Sequence, residues 1–481
     1  MLADFAPIVG DHSRAGRSRN PIWGPLLGVL LATPASAWLW GYTVDDALIT
    51  ARVAAHLVQG LGPRFNPHGP VADAVTPLGY AQLLALFGQA DVLRTFFAAK
   101  GFGLGAWLAA AGVLGQLVAG AGVRAARFTP LSIVALSAPL AAWAVSGMET
   151  GFITLLTTLG LYGGFASALA LGVACALRPE LVPFAWVLVF ARAVPGRLTL
   201  HRTLGLAACA VGPTLLVALL RLHWFGRAVP LSFYAKPSDF AHGLRYALGA
   251  FALTGLPWLV LPTPKEFVRL PSQARPLLLA LLAHAGALVL CGGDWMALFR
   301  LAVPALPATA LVAAYLAEQA TLAWAILRLV FALSGALLLL IGLGPSARSV
   351  GSERLGLIAQ ARPVLSRDAR IATLDVGWVG AASDADLIDL AGVTDAEVAV
   401  FPGGHTSKRI PRPWLFARNP SSVVLLLAQG TTLQTPFETS SFARAVEQRV
   451  ARLLAEEFRV RTRLRLGNQT YVVLEPIKPE R

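Results

Sequence analysis

The sequence has few charged residues, and this scarcity excludes several classes of protein. Only 14% of its 481 residues are Asp, Glu, Lys or Arg, whereas 56% are hydrophobic. A soluble globular chain carries about 25% charged residues, so this chain cannot coat a water-exposed surface of its size. Its hydrophobic content also excludes a disordered protein. We therefore expect a polytopic α-helical membrane protein.

Cysteine is scarce as well. The three cysteines, Cys175, Cys209 and Cys291, lie far apart within apolar runs. They provide neither a disulfide framework nor the spacing of a metal site. A small secreted disulfide scaffold is thus excluded, and we expect all three to be small core residues.

The charges that are present divide the chain into two regions. Residues 1–344 contain 34 charged residues, whereas residues 345–481 contain 32. We therefore predict a transmembrane domain over 1–344, with a first periplasmic loop at 42–77, and a soluble domain over 345–481. Strand-like runs at 370–377 and 421–429, followed by a helix-like run at 442–458, make the second domain a small α/β domain.

The apolar runs predict about eleven membrane spans in the first domain. These are 22–41, 91–120, 128–145, 151–163, 166–177, 180–193, 203–221, 246–262, 276–291, 298–317 and 323–344.

Basic loops orient these spans, because Lys and Arg concentrate on the cytoplasmic side. The loops concerned contain Arg14, Arg17, Arg19, Arg124, Arg127, Arg192, Arg197, Arg202, Lys265, Arg269 and Arg275. Their pattern places the N-terminus in the cytoplasm and the C-terminal domain on the outer side of the membrane. The net charge of +14 then reflects contact with anionic membrane lipids and not with nucleic acid.

Several polar clusters fall on the outer side of the predicted membrane. Ionisable residues at membrane edges are costly and usually mark a cavity or a pathway. Lys236, Arg178 and Arg300 are candidates to bind the phosphate of a lipid, with membrane phospholipid as the alternative partner. Glu149 and Asp294 are candidate substrate-binding residues that could instead pair with these cations. For Arg178 and Glu180 such pairing is the favoured role.

The first outer loop contains adjacent carboxylates, Asp45 and Asp46. Thr43 and Asp46 have the spacing of a helix capping box, so Asp46 is either a cap or a functional group. Asp45 shares a helix stripe with Arg52 and His56. That stripe is either a solvated ion pair or, as we expect, a carboxylate base with substrate-binding neighbours.

The run from Asp45 to Tyr80, DDALITARVAAHLVQGLGPRFNPHGPVADAVTPLGY, resembles the first periplasmic loop of a family of membrane glycosyltransferases. These have the GT-C architecture and use polyprenyl-phosphate sugars; the mycobacterial terminal arabinofuranosyltransferases are similar. The chain departs from their pattern at residues 75–79, where VTPLG replaces TSPLW. Further matching segments follow in order: SGMET (146–150), LRPE (177–180), FYAK (233–236), GGDWMALFR (292–300) and GGHTSKRIP (403–411).

This resemblance implies a sugar transferred from a polyprenyl-phosphate donor to a cell-envelope glycan or glycolipid. An aspartate of the first loop would be the catalytic base, and outer cations would hold the lipid phosphate. The sugar would be a pentofuranose such as arabinofuranose. In the last motif, His405 is a candidate substrate-binding residue, with a solvated loop as the alternative.

Two questions stay open at this level. A transporter or flippase of a lipid-linked or anionic substrate is the alternative function, although the repeated halves typical of transporters are not apparent. A divalent metal beside Asp45 and Asp46 is conceivable, but the sequence provides no ligand set that requires one, and no other cofactor is indicated.

Overall fold

The computed structural model describes residues 22–121, 128–193, 199–255, 257–429 and 439–477. The basic residues Arg14, Arg17, Arg19, Arg124, Arg127 and Arg197, which entered the predicted orientation, lie outside the described residues. Within these ranges the protein is mostly helical and has a small β-sheet near its C-terminus.

Helices occur along the whole of the described chain. Those before residue 200 are Trp23–Trp38 (α1), Asp45–Val58 (α2), Tyr80–Ala85 (α3), Val92–Gly120 (α4), Phe128–Ala135 (α5), Ala138–Ala144 (α6), Thr150–Leu159 (α7), Gly164–Leu177 (α8) and Val182–Ala193 (α9). The next are Leu200–Phe225 (α10), Leu231–Ala235 (α11), Phe240–Leu253 (α12), Pro264–Arg269 (α13), Ala274–Leu290 (α14), Leu306–Ala317 (α15), Leu322–Gly342 (α16) and Gly344–Leu365 (α17). The last are Val376–Ala382 (α18), Ala396–Ala399 (α19), Arg412–Ala417 (α20) and Ala445–Leu454 (α21). Short 3₁₀ helices cover Pro179–Leu181, Pro257–Val260, Arg300–Ala305 and Thr439–Ser441.

The described residues do not support eleven spans. Within the described ranges, four helices are long and apolar enough to cross a membrane: Val92–Gly120, Leu200–Phe225, Arg300–Ala317 and Leu322–Leu365. Shorter apolar helices cover Thr150–Leu159, Gly164–Leu177 and Ala274–Leu290. The outside location of the C-terminal domain followed from alternation over eleven spans and stays a prediction.

Backbone breaks divide two of the apolar stretches into short helices. Ser137 adopts an extended conformation that separates α5 from α6, and Gly163, with a φ of 88°, separates α7 from α8. A helix rises about 1.5 Å per residue and needs about 20 residues to cross the hydrocarbon core. The pieces on either side of these breaks are therefore too short to cross alone.

The chain forms two compact units. One, the helical unit, comprises residues 1–43, 100–219 and 238–348, and the other, the mixed unit, comprises residues 44–99, 220–237 and 349–481. The first outer loop and the segment around Lys236 thus belong to the same unit as the C-terminal sheet.

Close backbone packing characterises the helical unit. A Cβ on Gly28 of α1 would lie 2.0 Å from the carbonyl oxygen of Ala111 in α4, so that position accepts glycine alone. Small residues that allow two helix backbones to approach in this way are typical of helix pairs in membranes.

The sheet of the mixed unit contains five strands in the order β2-β1-β3-β5-β4. They are Arg370–Thr373 (β1), Asp386–Asp389 (β2), Ser422–Leu426 (β3), Phe458–Leu466 (β4) and Gln469–Pro476 (β5). β1 is parallel to β2 and β3, whereas β5 is antiparallel to β3 and β4. Apolar residues of α21, such as Val446, Val450 and Leu454, are buried with the inner strands in one core. The predicted small sheet domain near the C-terminus is confirmed, while its bounds at 345–481 stay a prediction.

Candidate functional site

Helix α2 begins at Asp45, and its first carboxylate caps a different helix. Oδ2 of Asp45 accepts a hydrogen bond from the backbone N–H of Gly377, and Oδ1 accepts one from Trp378, both at 2.8 Å. These are unsatisfied donors of the first turn of α18. α2 itself starts after Val44 without a side-chain cap, so the predicted capping box of Thr43 with Asp46 is wrong.

Burial determines the electrostatics of Asp45. Loss of solvent raises the pKa of this carboxyl to about 6, even though Arg354, with Nη1 at 3.7 Å from Oδ1, favours its ionised form. The pKa of Asp375, a carboxylate that interacts electrostatically with Asp45, shifts in the opposite direction. Burial opposes its ionisation, but Arg444 and Tyr471 outweigh burial and lower its pKa. Burial thus disfavours the charged form of Asp45, although both of its carboxyl oxygens accept backbone hydrogen bonds from α18.

Asp46 has a more open environment than its neighbour. Its Oδ2 lies 3.9 Å from Nζ of Lys236, and the two side chains are 28% and 25% exposed. Adjacent helix residues point about 100° apart, which explains why one carboxylate caps α18 while the other lies beside an ammonium group. Of the two predicted catalytic aspartates, Asp46 is therefore the more exposed.

Arg52 and His56 are buried and do not form the solvated ion pair that the sequence allowed. The Arg52 guanidinium donates to the carbonyl oxygens of Phe65, Gly380, Ser383 and Ala385 at 2.5 to 2.9 Å. Nδ1 of His56 lies 2.9 Å from the carbonyl oxygen of Arg64. Burial lowers the pKa of His56. Both side chains thus hold backbone segments together, and we no longer assign them to substrate binding.

Arg178 lies in a buried ion triad of the helical unit. Its Nε donates to Glu180 at 2.7 Å and its Nη1 to Glu149 at 3.1 Å. The side chains of Arg178 and Glu149 are only 8% and 1% exposed. This is the pairing that the sequence favoured, and it leaves no open face on the guanidinium for a lipid phosphate.

Arg300 and Asp294 pair in the same unit. Nε of Arg300 lies 2.8 Å from Oδ2 of Asp294, and both side chains are less than one-tenth exposed. The guanidinium also lies 5.5 Å from the ring centre of Trp143, within the range of a cation–π contact. The alternative of mutual pairing therefore describes these two residues better than separate phosphate and substrate binding.

His405 lies in the turn between Gly404 and Ser407 and is partly exposed. Lys408 in the same motif is buried, and its ammonium donates to the carbonyl oxygens of Ala399 and Phe401 at 2.7 and 3.0 Å. The motif is therefore anchored by Lys408, while the substrate-binding role of His405 stays a prediction.

Sequence reasoning missed the ion network behind Asp45. Arg444 donates two hydrogen bonds to Asp375 at 2.8 and 2.6 Å, and the hydroxyl of Tyr471 donates to the same carboxylate at 2.8 Å. Arg354 adds a second guanidinium near Asp45. No local spacing could have identified this network, because its members come from separate helices and strands. As for a metal, no group of three or more His, Cys, Asp or Glu residues in the described part of the chain is arranged to hold one.

The mixed unit contains the part of the chain that a known family covers. Residues 349–474 match a family model described as a domain of unknown function (DUF8728). A comparison of the chain with curated proteins finds no match. We refer to residues 349–474 below as the DUF8728 region.

Proposed function

We propose that this chain is a multi-pass membrane glycosyltransferase of GT-C-like architecture. It would transfer a sugar, such as arabinofuranose, from a polyprenyl-phosphate donor to a cell-envelope glycan or glycolipid on the periplasmic face of the inner membrane. The observation that carries the proposal is the partly exposed ion pair of Asp46 and Lys236, a carboxylate and an ammonium 3.9 Å apart. The apolar helices and the motif order of the sequence support it.

Asp46 would be the general base in this reaction. The acceptor hydroxyl attacks the anomeric carbon of the donor sugar and gives its proton to the Asp46 carboxylate. The bond between the anomeric carbon and the phosphate oxygen breaks, and its electron pair leaves with polyprenyl phosphate. The ammonium of Lys236 offsets the negative charge that develops on that phosphate.

The proposed site uses fewer cations than the sequence suggested. Arg178 and Arg300 are neutralised by buried carboxylates, and a guanidinium must face its anion to form a charge-assisted hydrogen bond. We therefore assign the donor phosphate to Lys236 and keep both arginines as structural residues.

Transfer itself is the direct test. Purified protein in lipid nanodiscs is given polyprenyl-phosphate sugars with radiolabelled head groups, arabinofuranose included, together with a cell-envelope glycan extract as acceptor. We expect label in the acceptor and an equal amount of released polyprenyl phosphate. Movement of the intact donor across proteoliposome membranes without any transfer would overturn the proposal in favour of a transporter.

A further inference from the structure

We propose that the DUF8728 region positions Asp46 beside Lys236, and that Arg52 and Asp45 are the positioning residues on the Asp46 side. The two members of the pair come from distant segments, α2 and the end of α11. The inference rests on the proposed function for the roles of Asp46 and Lys236 in chemistry. The positioning itself concerns only geometry and can be tested without a substrate.

The pair cannot hold these segments together by itself. Its two side chains are about a quarter exposed and their charged atoms are 3.9 Å apart. Partly solvated ion pairs of this kind contribute about 0–1 kcal/mol, which is less than the entropy cost of ordering even one residue of backbone, about 1–2 kcal/mol. Other contacts must therefore fix the two segments.

Arg52 fixes α2 to the DUF8728 region. Its side chain is 1% exposed, and three of its four hydrogen bonds reach the carbonyl oxygens of Gly380, Ser383 and Ala385. These oxygens lie in α18 and in the turn that leads into β2. A buried guanidinium with all its partners in place is costly to disturb, because the remaining carbonyls would lose their donors.

Asp45 and Asn66 also connect residues 45–66 to the DUF8728 region, Asp45 through α18 and Asn66 through β2. Asp45 caps α18, as described above. The side-chain amide of Asn66 donates to the carbonyl oxygen of Leu387 at 2.9 Å and accepts from its N–H at 2.8 Å. Asn66 thus satisfies the backbone of β2, an edge strand whose outer groups would otherwise lack partners.

Glycine on α18 permits this close packing. A Cβ on Gly377 would lie 2.1 Å from the carbonyl oxygen of Asp45, which is far inside van der Waals contact. A side chain at residue 377 would therefore push α2 away from α18.

A second set of contacts fixes Lys236. Leu231 and Ala235 of α11 are buried against Ala399 of α19, within the DUF8728 region. The hydroxyls of Ser232 and Thr76 lie 2.9 Å apart, and the N–H of Leu231 donates to Asp73 at 3.2 Å. The contact with Ala399 ties α11 to the DUF8728 region, whereas the contacts with Thr76 and Asp73 tie it to the first outer loop, which Arg52 and Asn66 in turn hold against that region.

Cross-linking measures this positioning directly. In full-length protein with Cys175, Cys209 and Cys291 replaced by Ala, the substitutions Asp46→Cys and Lys236→Cys are introduced and joined by a short bismaleimide. Adding Arg52→Gln should slow the cross-linking at least tenfold, because α2 loses its anchor. The matched control is Arg328→Gln, which removes another buried guanidinium, the one paired with Glu266 in the helical unit. It should lower the melting temperature and leave the cross-linking rate unchanged.

Each outcome decides the proposal. An unchanged cross-linking rate in folded Arg52→Gln protein overturns it, and so does equal slowing by Arg328→Gln. If Arg52→Gln does not fold, Arg52→Lys replaces it and should give an intermediate cross-linking rate, whereas a rate equal to that of the parent again overturns the positioning.

In the otherwise unmodified chain, Arg52→Lys should lower kcat for transfer more than it changes KM. Slowed cross-linking in a chain whose parent shows no transfer would refute the proposed function and leave the positioning standing.

Discussion

Two groups of charged residues that look alike in the sequence differ in how far they are buried and paired in the structure. In the helical unit, Arg178 and Glu149 are 8% and 1% exposed, and the guanidinium pairs with two carboxylates, those of Glu149 and Glu180. In the mixed unit, Asp46 and Lys236 pair more loosely and are each about a quarter exposed. Both groups follow apolar stretches and both contain acids beside a cation. Only the second is partly exposed to solvent.

The difference teaches that a polar cluster in an apolar chain is not by itself a site. A buried ion pair must satisfy its partners internally, since removing one partner leaves an uncompensated charge. A partly exposed ion pair contributes little to the free energy of unfolding, and solvent can reach its charged atoms. The following predictions test this contrast, from the largest expected effect to the smallest.

Replacing Asp46 should have the largest effect on activity. We expect Asp46→Asn to lower kcat for sugar transfer by about 10²–10⁴-fold, the usual range for loss of a general base, with little change in the KM for the donor. Initial rates at varied donor concentration provide the measurement. Glu457→Gln, at an exposed carboxylate, is the control and should retain the parent rate. A change confined to KM would contradict the role of Asp46 as a base.

Replacing Arg178 should affect stability before activity. Arg178→Met leaves Glu149 and Glu180 without their cation, and we expect a loss of about 3–5 kcal/mol in the free energy of unfolding. Denaturant-induced unfolding in detergent measures it. If the variant were as stable as the parent but unable to bind the donor lipid, Arg178 would be a binding residue and the contrast would fail.

The pH dependence of stability should report the burial of Asp45. Its pKa is about 6 in the folded protein, against 3.8 for the ordinary group, so the folded state binds this proton more tightly. Stability should then fall as the pH rises from about 4 to about 6, with Asp45 contributing up to about 3 kcal/mol. Melting temperatures across that range should show a smaller fall in Asp45→Asn protein. The residual fall belongs in part to Asp389, whose pKa burial also raises to about 6. Equal slopes in the two proteins would contradict the assignment.

Breaking an exposed surface ion pair should have the smallest effect on stability. Arg412 and Glu457 form an ion pair in the mixed unit with side chains 55% and 45% exposed. Arg412→Gln should change the free energy of unfolding by less than about 1 kcal/mol. A loss comparable to that of Arg178→Met would show that exposure does not separate the two kinds of pair.

The C-terminal fold could be predicted from the sequence because its signals are local. The runs at 370–377 and 421–429 contain β1 and β3, and the amphipathic run at 442–458 contains α21. The span count could not be predicted, because hydropathy does not reveal a break such as the one at Ser137. Length and composition identify apolar segments, whereas backbone geometry decides whether a segment is one helix or two.

The sequence indicated which loop to consider for a site but not how its side chains are arranged. The loop around Asp45 and Asp46 stood out, yet their roles depend on partners such as Gly377 and Lys236 that are distant in sequence. For the same reason Arg52, which is buried among four backbone carbonyls, could not be recognised as an anchor. Patterns within one segment reveal its periodicity and not what it packs against.

A side-by-side comparison of Asp45→Asn and Asp46→Asn tests the central claim most directly. Both variants are assayed for sugar transfer in the same nanodiscs, together with their melting temperatures. We predict that Asp46→Asn folds normally and loses transfer by at least about 10²-fold. Asp45→Asn, which keeps one side-chain oxygen to accept a hydrogen bond from α18, should melt at a different temperature and lose transfer to a much smaller extent, as expected of a positioning residue. Loss of transfer in folded Asp45→Asn protein, with activity kept in Asp46→Asn, would contradict the assignment of Asp46 as the base.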